Sequence, residues 1–242
     1  MAKAGTSEHD YEDAAYPAWS CDSGKDIFRC AVADGATESS FAREWARQLV
    51  RHFGFGTLTS PTFQEVIPKL QERWQRQIGR RSLPWFAEEA ASRGAFAAFV
   101  GMSMRRISEE QREWDAIAIG DACLFLVRDD QLLRAFPLET AEAFSNRPFL
   151  LSTQSERWST EHAAMQRTRG SSHLDDEFYL MSDALAQWFL AEHEGGRKPW
   201  CVLRDLDTDA EPRTFVEFVG ELRMGKRLRN DDTTLVRVNV VG

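Results

Sequence analysis

Apolar residues fall in short runs along this chain, and several of the runs end on an acidic residue. The clearest run is Phe28–Ala33, in which Arg29 is the only charge and after which Asp34-Gly35 follows. A run of this kind predicts a buried strand, which would place Asp34 at the rim of a sheet. We expect Gly35 to let the backbone turn sharply, so that its carbonyl points the same way as the Asp34 carboxylate. The alternative is that Asp-Gly is an ordinary turn after a strand.

A different spacing, with apolar residues every three or four positions, predicts amphipathic helices over Glu38–Phe53 and Thr62–Ile78. Shorter helices are predicted over three further segments: Pro84–Ala91, Ala184–Ala191 and Phe215–Leu222. The pattern leaves Gly94–Met104 open, because its alanines favour a helix whereas the flanking glycines favour a strand.

The apolar patch around Pro17 predicts an edge strand, since proline cannot donate a hydrogen bond within a central strand. Further strands are predicted over Ala116–Ile119, Cys123–Val127, Leu132–Phe136, Glu177–Ser182 and Thr233–Val240. Residues 137–170 are predicted to be rich in loops, with Pro148–Leu151 left open as an exception, and residues 1–10 to form a loose segment. Many short strands with helices between and after them predict an α+β fold that forms one domain over residues 1–242.

Composition limits the possible partners and the compartment. The 242 residues carry a formal net charge of −8, which argues against a nucleic-acid or anionic-membrane surface. The four cysteines form no CxxC pair, as is typical of a reducing cytosol. No apolar stretch reaches the roughly 18 residues of a membrane span, and the first residues lack the apolar core of a signal peptide. We therefore expect a cytoplasmic protein that binds neither nucleic acid nor membrane. The sequence leaves its oligomeric state open.

Three acids share one arrangement. Asp34 and Asp183 each end a predicted strand, and Asp231 opens another. Carboxylates that are brought together repel one another unless a cation compensates them. No obvious cationic side chain lies beside any of the three motifs, so we expect Mg²⁺ or Mn²⁺, which prefer oxygen ligands, to supply the positive charge.

Five short motifs occur in a fixed order along nearly the whole chain: Tyr11-Glu12-Asp13-Ala14, Val32-Ala33-Asp34-Gly35, Gly120-Asp121, Ser182-Asp183-Ala184-Leu185, and Asp231-Asp232-Thr233-Thr234-Leu235-Val236. With them, the sequence resembles the PP2C-type metal-dependent serine/threonine protein phosphatase (PPM) family. The resemblance implies a central β-sandwich of two antiparallel sheets flanked by helices, with a two-metal centre at one end of the sandwich.

The resemblance also implies ligands for two Mn²⁺ or Mg²⁺ ions. Asp34 would bridge both ions, and the Gly35 carbonyl would bind one of them. Asp183 and Asp231 would complete the ligands of the other ion.

Three more acids take roles by the same resemblance. Asp13, which with Asp34 would serve catalysis, would hold metal-bound water, and Glu12 would assist it. Asp121 matches a position associated with a weaker third ion.

The implied activity is hydrolysis of phosphoserine and phosphothreonine in proteins by a water that the two metals activate. The implied partners are a phosphorylated protein substrate and a cognate Ser/Thr kinase system. An aspartyl-nucleophile phosphatase is excluded, because its DxDG signature needs an acid where Val32 stands. The remaining alternative is a phosphatase-fold module that binds a phosphoprotein or a regulatory partner with weak or no turnover.

Departures from the family pattern bear on this choice. The family often has an arginine before the Glu-Asp motif that clamps the substrate phosphate, whereas this chain reads Glu8-His9-Asp10-Tyr11. His9 and Arg43 are candidates to replace it. Thr37-Glu38 stands in place of a glycine pair, and Ala184 in place of a glycine.

Overall fold

The structure is a computed structural model that describes residues 1–7, 10–17, 27–36, 41–145, 147–157, 164–206 and 214–241. Helices within these ranges, numbered along the chain, are α1 (Ala42–Gly54), α2 (Phe63–Gly79), α3 (Trp85–Ser92), α4 (Asp183–Glu194), α5 (Pro199–Asp205) and α6 (Phe215–Met224). The predicted helices are present, although the predicted start of the first, at Glu38, lies outside the described residues. α5 was not predicted. No helix in these ranges is both long and apolar enough to cross a bilayer.

Two antiparallel sheets form the centre of the described structure. The first contains β1 (Ala14–Tyr16), β2 (Ile27–Gly35), β3 (Phe96–Arg106), β4 (Gln111–Ile119), β7 (Leu151–Ser152) and β8 (Gln166–His173). Its order is β1-β2-β3-β4-β8, and β7 pairs with β3. The second contains β5 (Cys123–Arg128), β6 (Gln131–Phe136), β9 (Glu177–Met181) and β10 (Leu235–Asn239), in the order β10-β9-β5-β6. As predicted, the strand next to Pro17 lies at a sheet edge.

The two sheets pack face to face. Successive residues of each strand point alternately toward and away from the opposite sheet. Val32 of β2 and Leu124 of β5 lie in the core between the two sheets. Ala33 points the other way and lies in a second core with Trp45 of α1. The outer face of the second sheet packs against α4, α5 and α6. The order of layers is helix, sheet, sheet, helix, which confirms the α+β sandwich.

The prediction of loops over residues 137–170 is partly wrong, since this stretch contains the beginning of β8. β7 begins at Leu151, the last residue of the segment that was left open. β8 is an edge strand with the polar sequence QRTRGSSH, and most of its residues are exposed. Because neither face is apolar, its hydrophobic pattern carries no strand signal. The sequence pattern left Gly94–Met104 open between a helix and a strand, and the structure shows a strand, β3.

The sharp turn predicted at Asp34-Gly35 is also wrong, because β2 continues through Gly35, which pairs with Ala97 of β3. A Cβ atom added at Gly35 would lie 2.7 Å from the carbonyl oxygen of Glu12. Glycine is therefore needed for close approach of two chain segments, and a turn plays no part.

The expectation of a loose N-terminal segment is wrong for its first residues. The Met1 amino group donates to the Thr233 carbonyl over 2.7 Å, and the Thr233 N–H donates back to the Met1 carbonyl over 2.9 Å. The Ala4 N–H donates to Asn230 Oδ1 over 2.7 Å. This segment is bound to the chain that leads into β10.

Candidate metal centre

Asp34 lies at the rim of the first sheet, one residue before β2 ends, and shares the inward face of Val32. Asp183 is the first residue of α4, directly after β9 and Ser182. The backbone N–H of Asp183 donates to Asp34 Oδ2 over 3.4 Å. One acid from each sheet therefore meets the other at this rim, as the sequence predicted.

Asp13 lies next to Asp34, one residue before the neighbouring strand β1. Strands β1 and β2 pair Ala14 with Ala33, so the next position along places Asp13 opposite Asp34. Asp13 is 2% exposed. Its Oδ2 accepts a hydrogen bond from Thr234 Oγ1 over 2.7 Å, whereas Oδ1 is buried with no hydrogen-bond partner among the described residues. A buried carboxylate oxygen of this kind is costly unless a proton or a cation satisfies it.

Thr234 connects the parts of this site, a role that sequence reasoning missed. Its hydroxyl contacts the Tyr11 hydroxyl as well as Asp13. Its N–H donates to Ser182 Oγ over 2.9 Å, which holds the residue that precedes Asp183. Thr234 and Asp13 are 221 residues apart in the sequence, so no local pattern could have shown the contact.

Asp121 and Asp231 extend the group of acids. Gly120, with φ of 89°, turns the chain after β4 and leads into Asp121, which is 5% exposed. Burial raises the pKa of Asp121 to about 7, and the charges of Asp183 and Asp231 add to the shift. Burial also raises the pKa of Asp231, again with a contribution from Asp183.

Asp34 is at the electrostatic centre of the five acids. Burial raises its pKa well above the usual range, and the charges of Asp13, Asp183, Asp121 and Asp231 raise it further, in that order. Burial likewise raises the pKa of Asp13 to about 7. Because each acid hinders ionisation of its neighbours, a divalent cation would stabilise all of them as carboxylates. The residues present therefore fit a metal centre, and the unpartnered buried oxygens Asp13 Oδ1 and Asp183 Oδ1 support that fit.

The expectation that no cationic side chain lies beside the acids is wrong. Arg229 forms an ion pair with Asp183 Oδ2 and lies 3.4 Å from Asp231 Oδ2. Burial lowers the pKa of Arg229, but the charge of Asp183 and its hydrogen bond outweigh burial, so the net shift is upward. Within the described ranges, the His, Cys, Asp and Glu side chains as they stand form no group of three or more that encloses a metal ion. The contacts of Arg229 give a reason, since its guanidinium lies between two of the acids.

Glu12 adjoins the acids through its main chain. Its N–H donates to Asp232 Oδ2 over 2.7 Å, and the Lys3 N–H donates to Asp232 Oδ1 over 2.9 Å. Asp232 therefore holds the segment before β1 in place, a structural role that sequence reasoning did not assign. Of the candidates for phosphate binding, Arg43 lies in the first turn of α1 and His9 lies outside the described residues. Both remain predictions.

A two-sheet sandwich with buried acids from both sheets at one rim defines a candidate metal-binding protein. The family model of protein phosphatase 2C matches residues 5–222. The chain therefore belongs to the protein phosphatase 2C family. No curated protein sequence matches the chain significantly.

Solved structures share the fold at low sequence identity. The catalytic domain of the serine/threonine protein phosphatase PstP, in complex with two manganese ions, is 15% identical with a TM-score of 0.53, covering 100% of this chain and 96% of that one. RsbX in complex with magnesium is 15% identical with a TM-score of 0.50, covering 98% and 90%. PppA of Pseudomonas aeruginosa is 14% identical with a TM-score of 0.50, covering 95% and 90%.

Proposed function

We propose that this chain is a metal-dependent phosphomonoester hydrolase that removes phosphate from phosphoserine and phosphothreonine in proteins, with residues 1–242 as one catalytic domain. The observation that carries the proposal is the contact between Asp34 and Asp183 at the junction of the two sheets. The charges of three more acids, Asp13, Asp121 and Asp231, act on Asp34. Family membership supports the reaction class.

Asp34 would contact two Mn²⁺ or Mg²⁺ ions, with the Gly35 carbonyl on one of them. Asp183 and Asp231 would hold the other, and Asp121 a weaker third. When bound, a pair of divalent ions lowers the pKa of water and stabilises the attacking and leaving oxygens of a phosphoryl transfer.

Asp13 can hold or move a proton beside these acids. Thr234 fixes its Oδ2, so the unpartnered Oδ1 is the atom left to receive a proton from water. Burial raises the pKa of Asp13 to about 7 in the absence of a cation. A bound cation would favour its carboxylate form, which can accept a proton from water. Glu12 would act beside it, on the chain segment that Asp232 holds.

Phosphoproteins are the proposed substrates because the chain shares a fold with PstP, which is described as a serine/threonine protein phosphatase. A cognate Ser/Thr kinase would supply such substrates, and the cytosol is the proposed compartment. The second candidate function is a phosphatase-fold module that binds a phosphoprotein or a regulatory partner with weak or no turnover. The ion pairs of Arg229 favour it, since they occupy carboxylate oxygens that the catalytic metal ions would need.

Hydrolysis of p-nitrophenyl phosphate and of a phosphothreonine peptide tests the proposal. We expect turnover of both with Mn²⁺ or Mg²⁺ and none in excess EDTA. Asp34→Asn should lose activity. Asp129→Asn is the matched control, because Asp129 lies in the turn between β5 and β6, beyond the end of β5 that is remote from Asp121. Turnover that survives complete chelation would overturn the mechanism, and metal binding without turnover would favour the second candidate.

A further inference from the structure

Arg229 lies in the loop between α6 and β10, two residues before Asp231. Its guanidinium reaches Asp183, 46 residues away in the sequence. The Arg229 side chain is 40% exposed, compared with 15% for Asp183 and 35% for Asp231. The arginine thus joins two acids that come from different segments.

The contacts involve the oxygens that a second metal ion would need. Arg229 pairs with Oδ2 of Asp183 and of Asp231. Asp231 Oδ1 accepts a hydrogen bond from the Asp232 N–H over 3.0 Å, and Asp183 Oδ1 is buried with no partner among the described residues. An ion held by both acids could use Asp183 Oδ1, but at Asp231 it would have to share or take Oδ2 from Arg229.

We propose that Arg229 is a built-in competitor for one metal position. It neutralises Asp183 and Asp231 when no ion is held there, and it must move away for an ion to bind them. Metal binding at this position then exchanges one cation for another. The metal affinity is therefore lower than it would be if the two carboxylates had no ion pair with Arg229. The inference rests on the proposed metal centre.

The loop around Arg229 is fixed, so the exchange requires only a side-chain movement. Asn230 Oδ1 accepts a hydrogen bond from the Ala4 N–H, and Arg223 donates to the Asp231 carbonyl. The Leu228 N–H donates to the Leu222 carbonyl over 3.3 Å. With the backbone held on both sides, the partly exposed guanidinium can swing toward water while the two acids stay in place.

Isothermal titration of chelator-treated protein with Mn²⁺ tests this proposal. Arg229→Gln should bind Mn²⁺ about three- to tenfold more tightly at the weaker step, a range set by the value of partly exposed ion pairs. Arg229→Lys keeps the charge but loses the planar guanidinium, so its Mn²⁺ affinity should lie between those of wild type and Arg229→Gln. Arg227→Gln removes the same charge from the same loop, but Arg227 pairs with Glu192 over 3.1 Å, so affinity should stay at the wild-type value.

Thermal melting gives a second readout that a merely structural role would not reproduce. In EDTA, Arg229→Gln should melt below wild type, because Asp183 and Asp231 lose the positive charge that compensates their repulsion. In saturating Mn²⁺ the difference should shrink or reverse. An Arg229→Gln affinity equal to or weaker than wild type would overturn the inference while leaving the metal centre intact. Wild-type protein that binds no Mn²⁺ at all would overturn both.

Discussion

The backbone N–H of Asp183 donates to the carboxylate of Asp34 across the junction of the two sheets, with 3.4 Å between nitrogen and oxygen. Because Asp183 is the first residue of α4, this N–H has no partner within the helix and lies at the positive end of the helix dipole. The dipole provides roughly half a positive charge, whereas four neighbouring acids oppose ionisation of Asp34. This rim therefore favours the binding of cations, and the following predictions depend on that balance.

Asp34→Asn should reduce phosphatase activity far more than Asp121→Asn. All four other acids act on Asp34, whereas Asp121 responds mainly to burial, Asp183 and Asp231. Loss of an outer partner of a metal site costs about 10–100-fold, so we expect more than about 100-fold for Asp34 and about tenfold for Asp121. Steady-state kinetics in saturating Mn²⁺ would measure both losses. Equal losses in two folded variants would mean that the ligand assignment is wrong.

Mn²⁺ should raise the melting temperature of wild-type protein. A ligand that binds only the folded state adds about 2.7 kcal/mol at a hundredfold excess over Kd, which corresponds to about 5–10 °C for a chain of this size. Asp183→Asn removes a charge from the proposed site, so its shift should be much smaller. Differential scanning calorimetry in EDTA and in millimolar Mn²⁺ would measure the shift. The metal centre is refuted if Mn²⁺ changes neither melt.

Stability in EDTA should fall as the pH rises from about 4 to beyond 7. The folded-state pKa values of Asp13 and Asp121 are raised from 3.8 to about 7, so the folded chain binds more protons than the unfolded chain in this range. Their stabilising contribution is complete below about pH 4 and is lost as the pH passes through about 7. Urea unfolding at pH 5 and pH 8 would show the change.

Asp121→Asn provides the control for this pH dependence, because it removes one of the acids whose pKa is raised in the folded state. Its stability should change less between pH 5 and pH 8 than that of wild type. An equal slope in both proteins would show that Asp121 does not titrate in this range.

Gly35→Ala should destabilise the protein by about 1–3 kcal/mol, the usual cost of inserting atoms into a packed site. The added Cβ would lie 2.7 Å from the Glu12 carbonyl oxygen, a backbone atom that cannot easily move. Gly220→Ala in α6 is the matched control, since its Cβ would meet nothing within 4 Å. That change should stabilise by about 0.5–1 kcal/mol through helix propensity. Urea denaturation would compare them, and a neutral Gly35→Ala would contradict the packing argument.

Sequence patterns predicted the parts of this fold that follow from local burial. The apolar runs that end at Asp34 and Asp183 are strands buried on both faces, so their hydrophobicity located the two acids correctly at the rim. β8 escaped prediction because it is polar and lies at an edge. Its place depends on pairing with β4, which the local sequence does not encode.

The ion pairs and hydrogen bonds around the site could not be predicted from the sequence for a related reason. Arg229 stands two residues from Asp231, yet its ion pair with Asp183 depends on how the loop before β10 lies against α4. The hydrogen bonds of Asp232 with Glu12 and Lys3 join residues from opposite ends of the chain. Such contacts require the folded arrangement of both sheets.

The two sheets share no strand among the described residues, and this has a consequence for motion. The rim combines Asp34 from the first sheet with Asp183 and Asp231 from segments flanking strands of the second. An ion held there would act as a cross-link, so any opening that parts the sheets at this end would first have to release it. Amide hydrogens near the ends of β2 and β9 should then exchange with solvent more slowly, and by a similar factor, once Mn²⁺ is bound.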